Sequence, residues 1–288
     1  MKLHQQNAII TGGTQGLGQA IVGEFLREGA NVLLCSRNAN DATSLAAELR
    51  KGLPSSQKVV GMGADVSSEM DVKRLFQTAA AELGELHILV NNAGIYGPKG
   101  PSEEVEWEEW KRAMEINLYG TMLPCRAAIP VFKSAGRGKI VNLSGGGATN
   151  PLPRFSAYAA GKAAVVRLTE TLALELAPFH IDVNAVAPGA LNTRLLDEVL
   201  EAGPETVGAA FYEKAQQQAA KGGVPLQKGA SLCVYLASRA SDGVTGKLIS
   251  AQWDPWDTLH ERLGEISGND IYTLRRIVPA DRGLSWGD

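Results

Sequence analysis

The sequence predicts a doubly wound α/β domain: a mainly parallel sheet with helices on both faces, followed by a lid over the site and a C-terminal tail. Short, almost wholly apolar runs alternate with longer segments of helical period. The first run passes straight into a glycine-rich turn, and 288 residues that are 44% apolar suffice for one large core. No internal repeat or low-complexity segment interrupts the pattern.

Composition removes several classes of function. The 28 basic and 31 acidic residues give a net charge of -3, with no basic tract to follow a nucleic-acid backbone. No window reaches the roughly 18 apolar residues of a membrane span, and no leader precedes the first strand, so a cytoplasmic protein is expected. Cys35, Cys125 and Cys233 lie far apart and read as core residues in a reducing compartment. His4, His87, His180 and His260 make no local ligand pattern, and no metal is expected.

The first strand begins at Asn7 and ends in Thr11-Gly12-Gly13-Thr14-Gln15-Gly16-Leu17-Gly18, where a helix starts. Gly12 suits a tight turn, Gly16 a close backbone approach and Gly18 the packing of helix on strand. No Lys-Ser or Lys-Thr pair closes the loop, so a dinucleotide diphosphate is the better ligand than a nucleotide triphosphate.

Asn31–Cys35 is the second strand, followed by Ser36-Arg37-Asn38. At this point a dinucleotide site offers either a carboxylate to free ribose hydroxyls or a cation to a 2′-phosphate. Arg37 supplies the cation, with Ser36 a compatible hydroxyl, so NADP(H) is expected and NAD(H) is the alternative; a solvated surface arginine is the plain reading. Asp41–Arg50 is helical, and residues 57–63 form the third strand. Asp65-Val66 then either meets an adenine ring or, through Asp65, caps the helix that starts near Ser68.

His87–Val90 is the fourth strand, ending in Asn91-Asn92-Ala93-Gly94, whose small and amide-bearing residues suit a chain that passes a flat cofactor. A long amphipathic helix through Trp110–Leu118 contains Asn117, either for a structural hydrogen bond or for a water. Gly138–Leu143 is the fifth strand, and the pliable Ser144-Gly145-Gly146-Gly147 follows it at a ligand or a moving loop. A helix entered at Phe155 carries Tyr158 and Lys162 four apart on one face. The sixth strand, Ile181–Ala187, stops at Pro188-Gly189.

A substrate lid occupies about 190–225, with Phe211 and Tyr212 either covering a substrate or packing the lid onto the body. Thr245–Ser250 is the last strand, so a catalytic domain spans 1–252 and a tail spans 253–288. Trp253 and Trp256 should both be covered, against this subunit or another. The tail arginines could meet an anionic or hydroxylated substrate, though surface ion pairs also explain them.

Tyr158 and Lys162 carry the chemical expectation. A phenol titrates near pH ~10, and a neighbouring ammonium favours its phenolate, making it an acid and base toward a carbonyl or alcohol. Asn117, holding a water beside Lys162, would supply protons.

With these motifs in place, residues 5–252 resemble the classical short-chain dehydrogenases/reductases. The resemblance rests on Thr11-Gly12 through Gly18, Asn91-Asn92-Ala93-Gly94, Asn117, Tyr158 with Lys162, and Pro188-Gly189 followed by Thr193. It implies a Rossmann-type sheet of order 3-2-1-4-5-6-7, a homodimer or homotetramer, and a small alcohol or carbonyl substrate; the tail arginines make a sugar derivative one option. It also implies that Thr193 lies near the nicotinamide amide or cofactor phosphate, Asn91 near the adenosine and Asp65-Val66 at the adenine. Two features depart from the family. Thirteen positions before Tyr158, where the family usually has a substrate-holding serine, stands Gly145, leaving Ser144 as either its replacement or a loop-stabilising hydroxyl. Ala251-Gln252-Trp253-Asp254 replaces the usual aspartate and glycines. An oxidoreductase is therefore expected, against a dinucleotide-binding sensor or a cofactor-retaining dehydratase or epimerase.

Overall fold

The computed structural model describes residues 1–286. Seven strands, β1 (Asn7–Thr11), β2 (Asn31–Ser36), β3 (Val59–Gly63), β4 (Ile88–Asn91), β5 (Gly138–Leu143), β6 (Ile181–Ala187) and β7 (Leu248–Ser250), form one sheet of order 3-2-1-4-5-6-7. All six pairings are parallel. The apolar runs are uninterrupted because both faces of the sheet are covered.

Adjacent residues of β1 show this. Ile10 joins a core with Ile21, Phe25 and Val234, from α1 (Gly16–Arg27) and α9 (Leu226–Ala237). Ile9 points the opposite way, to a core with Leu75, Phe132 and Leu172 from α3 (Glu69–Leu83), α5 (Gly120–Ala135) and α6 (Ser156–Leu176). The order reverses between β1 and β4, which opens a crevice at the carboxyl ends of the strands.

The segment read as one amphipathic helix is three pieces: α4 (Trp107–Met114), a π-helical turn (Glu115–Tyr119) and α5. The lid contains α7 (Arg194–Val207), broken where Gly203 takes φ 76°, and α8 (Ala209–Lys221). After α2 (Ala39–Arg50) comes β3, which begins at Val59, two residues later than its sequence pattern suggests.

The tail lies on its own chain. Trp256 packs against Tyr235 with ring centroids 5.8 Å apart, and the Leu248 amide donates to the Tyr272 carbonyl at 2.8 Å, covering part of the free edge of β7. Trp253 lines the cleft yet stands 79% exposed, so of the two covers expected for it the one by its own subunit is not realised. Arg275 is committed to Asp270 and Asp281, and neither Arg276 nor Arg282 lines the cleft, so the substrate role considered for the tail arginines is not realised. Among the described residues no helix is long and apolar enough to cross a membrane.

Candidate active site

A cleft of about 1550 Å³ opens over the β1/β4 crevice. Its floor is the glycine turn. Gly12 (φ 64°) and Gly16 (φ 54°) both take the left-handed conformation that disfavours side chains. A Cβ on Gly18 would overlap the carbonyl oxygen of Gly12, so only glycine lets α1 start this close to the turn. Asn92 fixes the turn from β4: its Nδ2 donates to the carbonyls of Thr11 at 3.0 Å and Gly12 at 2.9 Å. The Thr11 hydroxyl accepts from the Asn92 and Ala93 amides at 3.0 and 3.1 Å. Thr14, Gln15, Leu17, Ala93 and Gly94 also line the cleft.

At one end lie Ser36, Arg37, Asp65 and Val66. Arg37 is exposed and has no hydrogen-bond or ion-pair partner among the described residues, while the Ser36 hydroxyl donates to the Asn38 carbonyl at 2.8 Å. Asp65 does not cap α3. That task falls to Ser68, whose hydroxyl accepts from the Asp71 amide at 3.3 Å. The Asp65 carboxylate instead accepts from the Ser67 amide at 2.9 Å and pairs with Arg112; against the cost of burial, these contacts hold it below the ordinary carboxylate range.

Asn91 is a correction. Its side chain turns into the core, where Nδ2 donates to Asn142 Oδ1 at 2.9 Å and contacts Cys125 Sγ, and it does not line the cleft. In an extended strand neighbouring side chains point to opposite faces, and Asn92 is the one beside the turn.

Tyr158 and Lys162 meet the cleft from one face of α6, 8% and 5% exposed. Lys162 Nζ donates to the Leu143 carbonyl at 2.8 Å, and burial lowers its pKa to about 8. The Tyr158 ring meets Tyr96 edge-on at 4.7 Å, and its hydroxyl has no hydrogen-bond partner among the described residues. The expected electrostatic effect is not what the structure gives. Burial raises the Tyr158 pKa, Tyr96 adds to that rise, and the ammonium, 5.9 Å from the ring centre, does not outweigh them.

Asn117 is fully buried in the π-helical turn. Its Oδ1 accepts from the Ile95 amide at 3.0 Å and its Nδ2 donates to the Ile95 carbonyl at 2.9 Å. One donor hydrogen and one acceptor lone pair of the amide are committed to the segment after Gly94, which makes Asn117 a structural clasp and leaves its second hydrogen and lone pair unassigned. Ser144 is 5% exposed and lines the cleft, and its hydroxyl is buried without a partner among the described residues. A Cβ on Gly145 would overlap the Tyr158 hydroxyl, so the backbone occupies the place of a side chain.

Pro188, Gly189 and Thr193 close the cleft opposite the turn, with Thr193 Cγ2 3.2 Å from where a Gly16 Cβ would stand. Phe211 both packs on Phe155, at 4.9 Å between rings, and lines the cleft, whereas Tyr212 only packs the lid. Among the described residues no group of three or more His, Cys, Asp or Glu side chains is arranged to hold a metal ion.

The family model for short chain dehydrogenases matches residues 6–203. This chain is a classical short-chain dehydrogenase/reductase. The L-fucose dehydrogenase of Oryctolagus cuniculus is 34% identical over 234 residues, covering 81% of this chain and 79% of that one. The glucose 1-dehydrogenase of Gluconobacter oxydans is 38% identical over 189 residues, 65% of this chain and 70% of that one. Among solved structures, levodione reductase superposes with a TM-score of 0.79 at 27% identity, covering 90% of this chain and 99% of that one. Membership implies dependence on a nicotinamide dinucleotide, NAD or NADP.

Within this short-chain dehydrogenase, sequence reasoning missed Tyr96 and the meeting of Lys214 from the lid with Trp253 and Asp254 from the tail at the cleft. No local signal marks that meeting, since lid and tail are brought together only by the fold.

Proposed function

We propose that this dehydrogenase is an NADP(H)-dependent oxidoreductase that interconverts a secondary alcohol and a ketone, with Tyr158 as general acid and base. The reading is carried by one observation: a buried phenol with no hydrogen-bond partner among the described residues, one helical turn from a buried amine, opens into a cleft floored by a glycine cradle.

The cradle fits a dinucleotide, because Gly12, Gly16 and Gly18 leave no room for side chains where a diphosphate must approach. Thr14, Gln15, Leu17 and Thr193 would border the diphosphate, Arg37 and Ser36 a 2′-phosphate, Asp65 and Val66 the adenine, and Ala93, Gly94, Pro188 and Gly189 the nicotinamide half. The bound nicotinamide supplies the centre that gives or takes the hydride.

In the reducing direction the Tyr158 hydroxyl hydrogen-bonds the ketone oxygen and gives it a proton; in oxidation the phenolate takes the alcohol proton. A pKa raised by burial suits the donor role, and the Lys162 ammonium, protonated below about pH 8, lowers the cost of the phenolate. Lys162 would also donate to the nearby ribose. Asn117 positions the segment following Gly94. With Gly145 lacking a side chain, the Ser144 hydroxyl is the remaining candidate to polarise the carbonyl.

A sugar-like substrate is part of the proposal, supported by the printed activities of the L-fucose and glucose relatives. So is a homodimer or homotetramer, the assembly that the family resemblance implies. The test is oxidation of NADPH and NADH with a panel of ketones, and the reverse reaction with hydroxylated, sugar-like compounds. Turnover with preference for the phosphorylated cofactor supports the reading. Tight NADPH binding with no turnover across the panel favours a sensor instead.

A further inference from the structure

Beside the cleft lies a second recess of about 450 Å³, sharing Ala190, Lys214, Gln218 and Gln252 with it. Along α8, Lys214, Gln217, Gln218 and Lys221 fall at i, i+3, i+4 and i+7, so one face of the helix presents amines and amides to this recess. Lys228 joins them from the first turn of α9. Among the described residues no aspartate or glutamate lines the recess, and none of the three lysines makes an ion pair.

Lys214, Lys221 and Lys228 are exposed, and like charges gathered at one recess without counter-charge make a positive potential that draws an anion. Lys228 is the telling member, because the first turn of a helix is the positive end of its dipole, where a cation is least welcome and an anion most. Lys221, at the other end of α8, is well placed for its own helix. The amides of Gln217, Gln218 and Gln252 add hydrogen-bond donors.

We propose that this recess is an oxyanion subsite, taking the carboxylate or phosphate of a substrate whose reacting carbon lies in the adjoining cleft. The proposal rests on the oxidoreductase reading for the substrate and on the recess alone for the anion. Lys214, common to both cavities, is the bridge between them.

The experiment has two arms. In the first, kcat/KM is compared for an oxo acid and its methyl ester, in the parent and in the double variant Lys221→Ala/Lys228→Ala. The parent should favour the acid by about tenfold or more; the ratio should fall toward one in the double variant and with added salt, and Lys221→Arg/Lys228→Arg should retain it. In the second arm, inorganic phosphate is titrated calorimetrically into the cofactor-free protein at low ionic strength. Saturable binding lost in the alanine variant supports the site without any turnover, so a failure of the oxidoreductase reading stays separate. Phosphate binding with no preference for the acid assigns the site to a free anion and overturns the substrate assignment. No phosphate binding together with equal acid and ester kinetics overturns the proposal.

Discussion

The backbone of Gly145 runs against the hydroxyl of Tyr158 so closely that any side chain at 145 would overlap the phenol oxygen. The absence of a serine here is therefore built into the packing of the loop. Gly145→Ala must displace either the loop or the phenol, and overpacking of this kind costs about 1–3 kcal/mol. Thermal unfolding should report that loss, with kcat/KM reduced at least about tenfold. Full activity in Gly145→Ala would show that the loop yields freely.

Arg37 lines the same end of the cleft as Ser36, Asp65 and Val66, with no partner of its own among the described residues. If its guanidinium meets a 2′-phosphate, Arg37→Ala should lower the NADPH over NADH ratio of kcat/KM by about ten- to a hundredfold, the worth of a charge-assisted hydrogen bond. An unchanged ratio removes Arg37 from that role.

Lys162 makes a prediction about pH and stability in the cofactor-free protein. Its pKa is about 8 when folded, against an ordinary 10.5, so between these values the unfolded chain holds the extra proton. Stability from this group therefore rises with pH through that window and is lowest below pH 8, by at most about 3 kcal/mol. Burial of Cys35 and Cys125, whose thiols rise to about 12, acts in the opposite sense above pH 9. Their effect cancels in a comparison. The stability of the parent minus that of Lys162→Met should climb from pH 8 to 10; a flat difference contradicts the burial of a titrating amine.

Asn117 satisfies both backbone groups of Ile95. Asn117→Ala leaves a donor and an acceptor unpaired in a part-buried position, so denaturant unfolding should show a loss of about 2–4 kcal/mol. A loss below about 0.5 kcal/mol would mean that the clasp is replaced by solvent.

The sheet was legible because each strand carries its own signal. Ile9 and Ile10 are both apolar since each faces a separate core, and that double burial is the mark of a parallel strand. The glycine turn, Tyr158 and Lys162 were legible because spacing along one element fixes them. Asn91 and Asn92 were not told apart, since which amide faces the turn depends on strand phase. Trp253 and Lys214 meet at the cleft only because the fold brings tail and lid together. The raised pKa of Tyr158 was also hidden, because it depends on Tyr96 and on burial that no local sequence records.

The most direct test is Tyr158→Phe, which removes one oxygen from a ring packed edge-on against Tyr96 and keeps the packing. Single-turnover hydride transfer and cofactor affinity should be measured together on parent and variant. Loss of transfer by about a hundredfold or more, with the dinucleotide still bound, is the predicted result. Transfer at the parent rate would contradict Tyr158 as the acid and base.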